Sequence, residues 1–388
     1  MAKKINKSYI SKKNETLTIE LNEVRNSAIL VDEKLIVIND NNDMQCIYSE
    51  NNGVIENTFY PIEHPTKEFY SISKSIKNKA KLIIDKIYNF DSQLRITDFQ
   101  LTKILTKTSV LFPCKRSKNK NLEEYIFEIE VQKKVNGNTI LGSSYIYKPK
   151  IEDIKIKDIM KTLTFPFINT DYQKINFDEN YDLIVFDKPM FSSIMENLIY
   201  HEFIDHPIVE NNSNVIIYDD PTHDRSFNYI PFDDKGDDTI AHHLYGYDNG
   251  YDCSPIQYRF LIPDKKCHRD IRSCLNVHPT NVVIESKKMV NTHVKFRKIK
   301  KGLYCYLMVG NHFCKGEFIE GTVFNAFTIK NGRLDVSLAP FKIKINKNEL
   351  LRNIVCIGND YDFVRPFPWW TPIVTKIPTV FVRNILLN

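Results

Sequence analysis

The sequence predicts an α+β fold: an N-terminal antiparallel sheet with a long helix, then a C-terminal β-rich domain carrying one active-site helix. Three observations predict it. Short β-branched runs fill residues 15 to 60, isoleucines at helical spacing follow Thr66, and the half beyond residue 180 reads mostly as strands and loops. With 388 residues and a 42% hydrophobic fraction, the chain is long enough for two or three domains and for a core that supports a pocket.

The first runs, Leu17-Thr18-Ile19, Ala28 to Val31, Leu35 to Ile38 and Cys46-Ile47-Tyr48, read as an antiparallel meander, with Asn52-Gly53 offering a tight turn. After Pro65-Thr66, Ile72, Ile76, Ile83, Ile84 and Ile87 keep helical spacing on a lysine-rich background. Strands return from 93 to 150. Tyr125, Phe127, Ile129 and Val131 alternate with polar residues, Asn136-Gly137 turns the chain, and the lysines of 115 to 120 read as a solvated loop. A short helix is expected over 151 to 162 and a polar connector over 169 to 180. These readings divide the chain into a sheet-and-helix domain (1–95), a strand-rich segment with connector (96–180) and the β-rich domain (181–388).

That last domain opens on a buried-strand signature, Leu183 to Phe186. Asp187 then supplies an N-cap and Pro189 a first-turn proline. Met190, Ile194, Leu198 and Ile199 give the helix its apolar face. Pro207 disfavours helical backbone at His206, so the helix should stop at about Ile204 or Asp205. Later elements read as strands, with a hairpin turn at Lys330-Asn331-Gly332-Arg333 and one helical turn near Glu349 to Asn353.

Several function classes are set aside. No apolar run approaches the roughly 20 residues of a membrane span. The lysine-bearing first residues lead into no apolar stretch, which points to the cytoplasm. Only 12 glycines occur and neither GxGxxG nor GxxxxGK[ST] is present, so phosphate-cradling loops have little material. A net charge of +5, scattered along the chain, argues against a nucleic-acid surface. The eight cysteines form no CxxC pair, which argues against a zinc ribbon.

His201-Glu202, followed by His206, is the constellation with a direct chemical meaning. Two imidazoles can hold Zn²⁺ while the glutamate between them activates water. The spacing is one residue longer than in HExxH. Five residues turn an ideal helix about 500°, which leaves the two rings roughly 140° apart. Either a π-type turn brings them together, or the helix ends and His206 approaches on a differently directed backbone.

The second half resembles the TldD/PmbA family of cytosolic peptidases, also described as modulators of DNA gyrase. The family's strand-then-helix unit ending in HExxxH is matched by Asp182 to His206. Asp219-Asp220-Pro221-Thr222, Phe232-Asp233-Asp234-Lys235-Gly236, Pro279-Thr280-Asn281, Lys301-Gly302-Leu303-Tyr304 and Gly358-Asn359-Asp360 follow in the family's order. The resemblance implies a zinc-dependent peptidase cleaving peptides or unfolded segments, with His201 and His206 as metal ligands and Glu202 as the catalytic base. It also implies a homodimer, or a heterodimer with a related PmbA/TldE-like chain. One departure stands out. The family's third zinc ligand, a cysteine, falls at Val364, which favours a second reading as a non-catalytic binding subunit of such a dimer. Asp360 and Asp362 are the nearest carboxylates and Cys356 the nearest thiol. Among other candidates, His242-His243 could place at most one ring in a shared site with His201. Asp233 to Asp238 reads as a solvated acidic turn, and Trp369-Trp370 as cleft lining or packing.

Overall fold

The computed structural model describes residues 16–31, 34–49, 53–60, 67–111, 117–135, 138–164, 167, 172–177, 180–199, 206–223, 229–233, 236–257, 259–261, 275–277, 279–309, 317–364 and 374–383. The first half is one antiparallel sheet built from β1 (Thr16–Val31), β2 (Lys34–Ser49), β3 (Gly53–Tyr60), β4 (Arg95–Leu111), β5 (Ser117–Val135) and β6 (Asn138–Lys148). The strand order is β3-β2-β1-β4-β5-β6. β4 begins where the division near residue 95 was expected and pairs along its length with β1, so residues 16 to 148 share one sheet.

The short runs of the sequence turn out to be parts of 16-residue strands. The polar stretches between them stay in the ladder by pairing with each other, Asn22 opposite Asp43 and Asn26 opposite Asn39. The expected loop of lysines is likewise strand from residue 117 onward. The turn at Asn52 lies outside the described residues.

Helix α1 (Lys67–Phe90) lies on this sheet. Ile76, Ala80, Ile83 and Ile87 are fully buried against Phe99, Leu101, Phe127 and Ile129. Burying an isoleucine of this kind contributes roughly 1.5–3 kcal/mol. Phe99 and Phe127 meet edge to face at 5.6 Å. A short 3₁₀ turn at Ile151–Asp153 leads to α2 (Ile156–Thr164), which adds Ile159 and Leu163 to the same core.

The second half starts with β7 (Leu183–Phe186) and α3 (Lys188–Leu198). There follow β8 (Ile208–Val209), β9 (Val215–Asp219), β10 (His242–Gly246), β11 (Arg259–Leu261), β12 (Leu275–Val277), β13 (Asn281–Ser286), β14 (Met289–Val290) and α4 (Thr292–Arg297). The chain continues through β15 (Lys301–Val309), β16 (Phe318–Lys330), β17 (Arg333–Leu338), β18 (Phe341–Asn346), α5 (Lys347–Arg352), β19 (Ile354–Gly358), β20 (Asp362–Val364), β21 (Val374–Ile377) and β22 (Val380–Val382).

One sheet runs β14-β19-β22-β7-β15-β16-β17, with β18 also on β16; another runs β20-β21-β13-β9-β10-β8. β11 and β12 form a separate pair. α3 packs between the two larger sheets, against β15 on one side and β20 and β21 on the other. That placement buries Met190 to Met195 throughout, Ser192 and Ser193 included.

The hairpin at Asn331-Gly332 forms as expected, both residues at positive φ. A side chain at Gly332 would meet the Arg297 backbone at about 2.5 Å. α4 was not anticipated. It is a single short helix started by Asn291, whose side chain accepts the Val294 N–H at 3.0 Å.

Two aromatic rings join the halves. Phe363 of β20 packs on a cluster of Ile104, Ile126 and Tyr147 in the first sheet. Phe232 lies under Lys118 and Lys120 of β5, each ammonium 5.4 Å from the ring centre. Lys118 also donates to the Gly236 carbonyl at 2.8 Å and pairs with Asp238 at 2.6 Å. The acidic turn and the lysine run, both read as solvated, therefore meet each other.

Candidate functional site

α3 is launched by a fully buried strand. β7 pairs in parallel with β15 and antiparallel with β22. The Asp187 carbonyl accepts the first helical N–H, from Phe191 at 2.9 Å, and its carboxylate accepts from the Lys188 N–H and from the Tyr304 hydroxyl. The residue read from the sequence as the N-cap thus starts the helix with its carbonyl, while its carboxylate holds the Lys188 N–H and Tyr304. The described part of the helix ends at Ile199, which has π-type geometry. His201 and Glu202 lie outside the described residues, as does the expected stop at Ile204 or Asp205. His206 is described and exposed, two residues ahead of β8.

At the other end of α3 lies a crevice of about 290 Å³ between β6 and α2 of the first half and α3, β15 and β20 of the second. Ser143, Tyr145, Lys161, Lys188, Tyr306 and Val364 are among its walls. Lys148 pairs with Asp362 across it, and Lys188 with Asp360 at 3.0 Å. Burial alone would raise the Asp360 pKa. The Lys188 charge and hydrogen bonds from Lys188, Thr379 and Thr292 outweigh it and hold the carboxyl at about 2. Burial works against charge on Lys188, but the carboxylates of Asp187 and Asp360 keep its pKa above the usual ammonium value. Loss of water and the Asp187 charge raise Tyr304 and Tyr306 above the ordinary phenol range.

This places the substitute ligands considered from sequence. Asp360 and Asp362 sit at the start of α3. The helix is 11 residues long, roughly 16 Å at about 1.5 Å per residue, and the histidine motif follows its far end. Cys356 is buried with Leu183, Val185 and Phe381, whereas the alternate β7 residues Ile184 and Phe186 face α3. Burial raises its thiol pKa. Val364 is half-buried on β20. Its carbonyl accepts from Thr375, whose hydroxyl in turn accepts from Ser192 in the middle of α3. Trp369 and Trp370 lie outside the described residues.

The aspartate of the DDPT segment has a structural task. Asp219, 0% exposed, accepts the backbone N–H of Thr280 at 2.8 Å and of Asn281 at 2.7 Å, locking β9 to the start of β13. On β10, His242 is held by the Ser254 carbonyl at 3.3 Å, and burial lowers its pKa despite the Asp252 charge. His243 places Nε2 3.1 Å from the Ile208 carbonyl. Its Nδ1 is buried and meets no hydrogen-bond partner among the described residues.

No group of three His, Cys, Asp or Glu side chains clusters among the described residues. His206 lies two residues ahead of β8, and the Nε2 of His243 on β10 meets the Ile208 carbonyl within it. The crevice was not legible in the sequence, since its walls come from distant elements with no shared motif.

Comparison with known proteins bears out the family resemblance. Residues 263–387 match the PmbA/TldA metallopeptidase C-terminal domain. The whole chain has the fold of TldE from Thermococcus kodakarensis, with a TM-score of 0.74, 13% identity and 96% of each chain covered. It is similar also to a proposed modulator of a DNA gyrase from Thermotoga maritima, at a TM-score of 0.70 and 14% identity over 96% of each chain. A proposed modulator of DNA gyrase from Bacteroides thetaiotaomicron gives 0.69 and 13%, covering 96% of this chain and 94% of that one. Comparison with curated proteins gives no significant match. The chain therefore has the α+β fold of these structures, and its residues 263–387 match a metallopeptidase C-terminal domain. Among the described residues no helix is long and apolar enough to cross a membrane.

Proposed function

We propose that the chain is a zinc-dependent peptidase of the cytoplasm, acting on peptides or unfolded segments. What supports this is the match of residues 263–387 to the PmbA/TldA metallopeptidase C-terminal domain, together with the π geometry of Ile199, two positions ahead of His201. A π-type turn bonds residues five apart, the spacing at which the two histidines stand. His201 and His206 would hold the metal. When bound, zinc supplies Lewis acidity toward water and the scissile carbonyl. Glu202 takes a proton from water and passes it to the leaving amine.

The crevice suits an extended chain. β6 and β20 are each an edge strand of their sheets, and residues of both line it. About five extended residues, at roughly 3.3 Å each, span the length of α3 from there toward the motif. The buried, unpaired thiols of Cys305 and Cys356 agree with a reducing compartment. The partner is a second copy or a related PmbA/TldE-like chain.

Val364, at the position where the resemblance calls for cysteine, supports a second reading as a binding subunit without hydrolysis. Metal analysis and peptide cleavage separate the two. The peptidase should purify with close to one equivalent of zinc, and Glu202→Ala should lower cleavage by at least about a hundredfold. Less than about half an equivalent, or cleavage indifferent to the substitution, leaves the binding subunit.

A further inference from the structure

The crevice between the halves is walled chiefly by rings and aliphatic side chains. Tyr145 and Tyr147 of β6, Tyr304, Tyr306 and Leu307 of β15, and Val364 of β20 line it. Three of these four phenols are engaged by the protein itself: Tyr147 donates to Glu124 at 2.6 Å, Tyr304 donates to Asp187, and Tyr306 is hydrogen-bonded to Thr162. What those three tyrosines leave for a ligand is ring carbon.

The charges around the crevice offset one another. Lys148 meets Asp362, Lys188 meets Asp360, and Asp158 and Lys161 stand one turn apart on α2. A phosphate or a free carboxylate would find no surplus of positive charge there. At about 290 Å³ the space falls at the small end of ligand sites, which run from roughly 300 to 1,000 Å³, and it suits one large side chain better than a cofactor. Its neighbours accommodate the rest of such a ligand. β6 and β20 are edge strands that both contribute walls, and an extended peptide pairing with an edge of this kind sends alternate side chains to one side.

We propose that the crevice is a specificity pocket for one bulky apolar side chain, of phenylalanine or leucine size, on an extended peptide. The proposal rests on the reading of the chain as a binder of peptides, which the peptidase and the binding subunit share, and adds the side chain that is selected.

The test is calorimetric binding of acetylated and amidated pentapeptides that differ only at the central residue: phenylalanine, leucine, alanine, glutamate or lysine. The full-length chain carries Glu202→Ala so that none is cleaved. The phenylalanine and leucine peptides should bind at least about tenfold more tightly than the other three. Ser143 is a half-buried wall residue on β6, and Ser143→Trp, which fills the crevice, should abolish that preference. Should Ser143→Trp not fold, a peptide with photoreactive benzoylphenylalanine at its centre decides: crosslinks to Tyr145, Tyr306 or Val364 support the pocket, and crosslinks confined elsewhere overturn it. Equal affinity for all five peptides, a preference for a charged one, or a preference that survives Ser143→Trp overturns the pocket and leaves peptide binding intact. If no peptide binds, both fall.

Discussion

Lys188 Nζ and Asp360 Oδ2 lie 3.0 Å apart at the foot of α3, and Thr292 and Thr379 donate to the same carboxylate. The pair joins α3 to the segment after β19, so it ties together parts distant in sequence.

Its pH dependence follows from the sign of the shift. The Asp360 pKa falls from 3.8 to about 2 on folding. The resulting stability, on the order of 2 kcal/mol, is complete above pH 4 and disappears as pH falls through about 2. Denaturant titrations of wild type and Asp360→Asn between pH 2 and 7 should converge at the acid end and separate by about that amount near neutrality. A constant difference across the range would contradict the assignment.

Glu128 works in the opposite direction. Burial, then the charges of Asp98 and Glu130, raise its pKa from 4.5 to about 7, and Asp98 and Glu130 face each other across β4 and β5. The folded state therefore holds a proton that the unfolded state has lost, so stability declines as pH rises from about 4.5 to 7. Glu128→Gln should raise the melting temperature at pH 8, by the equivalent of about 1 kcal/mol after allowing for solvent screening, and leave it unchanged at pH 4.

Asp219 offers the clearest mutational cost in the second half. Replacing it by alanine leaves the N–H groups of Thr280 and Asn281 buried and unmet, which costs about 3 kcal/mol. Asp219→Asn keeps one acceptor oxygen and should cost less. Equal unfolding midpoints for the two variants in urea would show that hydrogen bonding at this joint is unimportant.

What the sequence disclosed depended on how local the signal was. α1, the alternation of Tyr125 to Val131, the β7–α3 unit and the Asn331-Gly332 turn each reside in a short window, and each forms as read. The long strands β1 and β2 were harder, because their polar centres are stabilised by pairing with one another rather than by their own composition. α4 rests on one cap and a single turn, too little periodicity to register. The motif at His201 to His206 was visible as chemistry. The contact of the His243 ring with the Ile208 carbonyl was not, since it arises only when β8 lies beside β10. Nor could spacing show that Asp360 belongs to the opposite end of the helix.

The two aromatic rings that join the halves rest in unlike seats. Phe232 is held by ammonium groups, and Phe363 by aliphatic and tyrosine side chains. Added salt weakens the first kind of contact and cooling weakens the second. The two halves are therefore joined at two points that respond to different variables, ionic strength at one and temperature at the other.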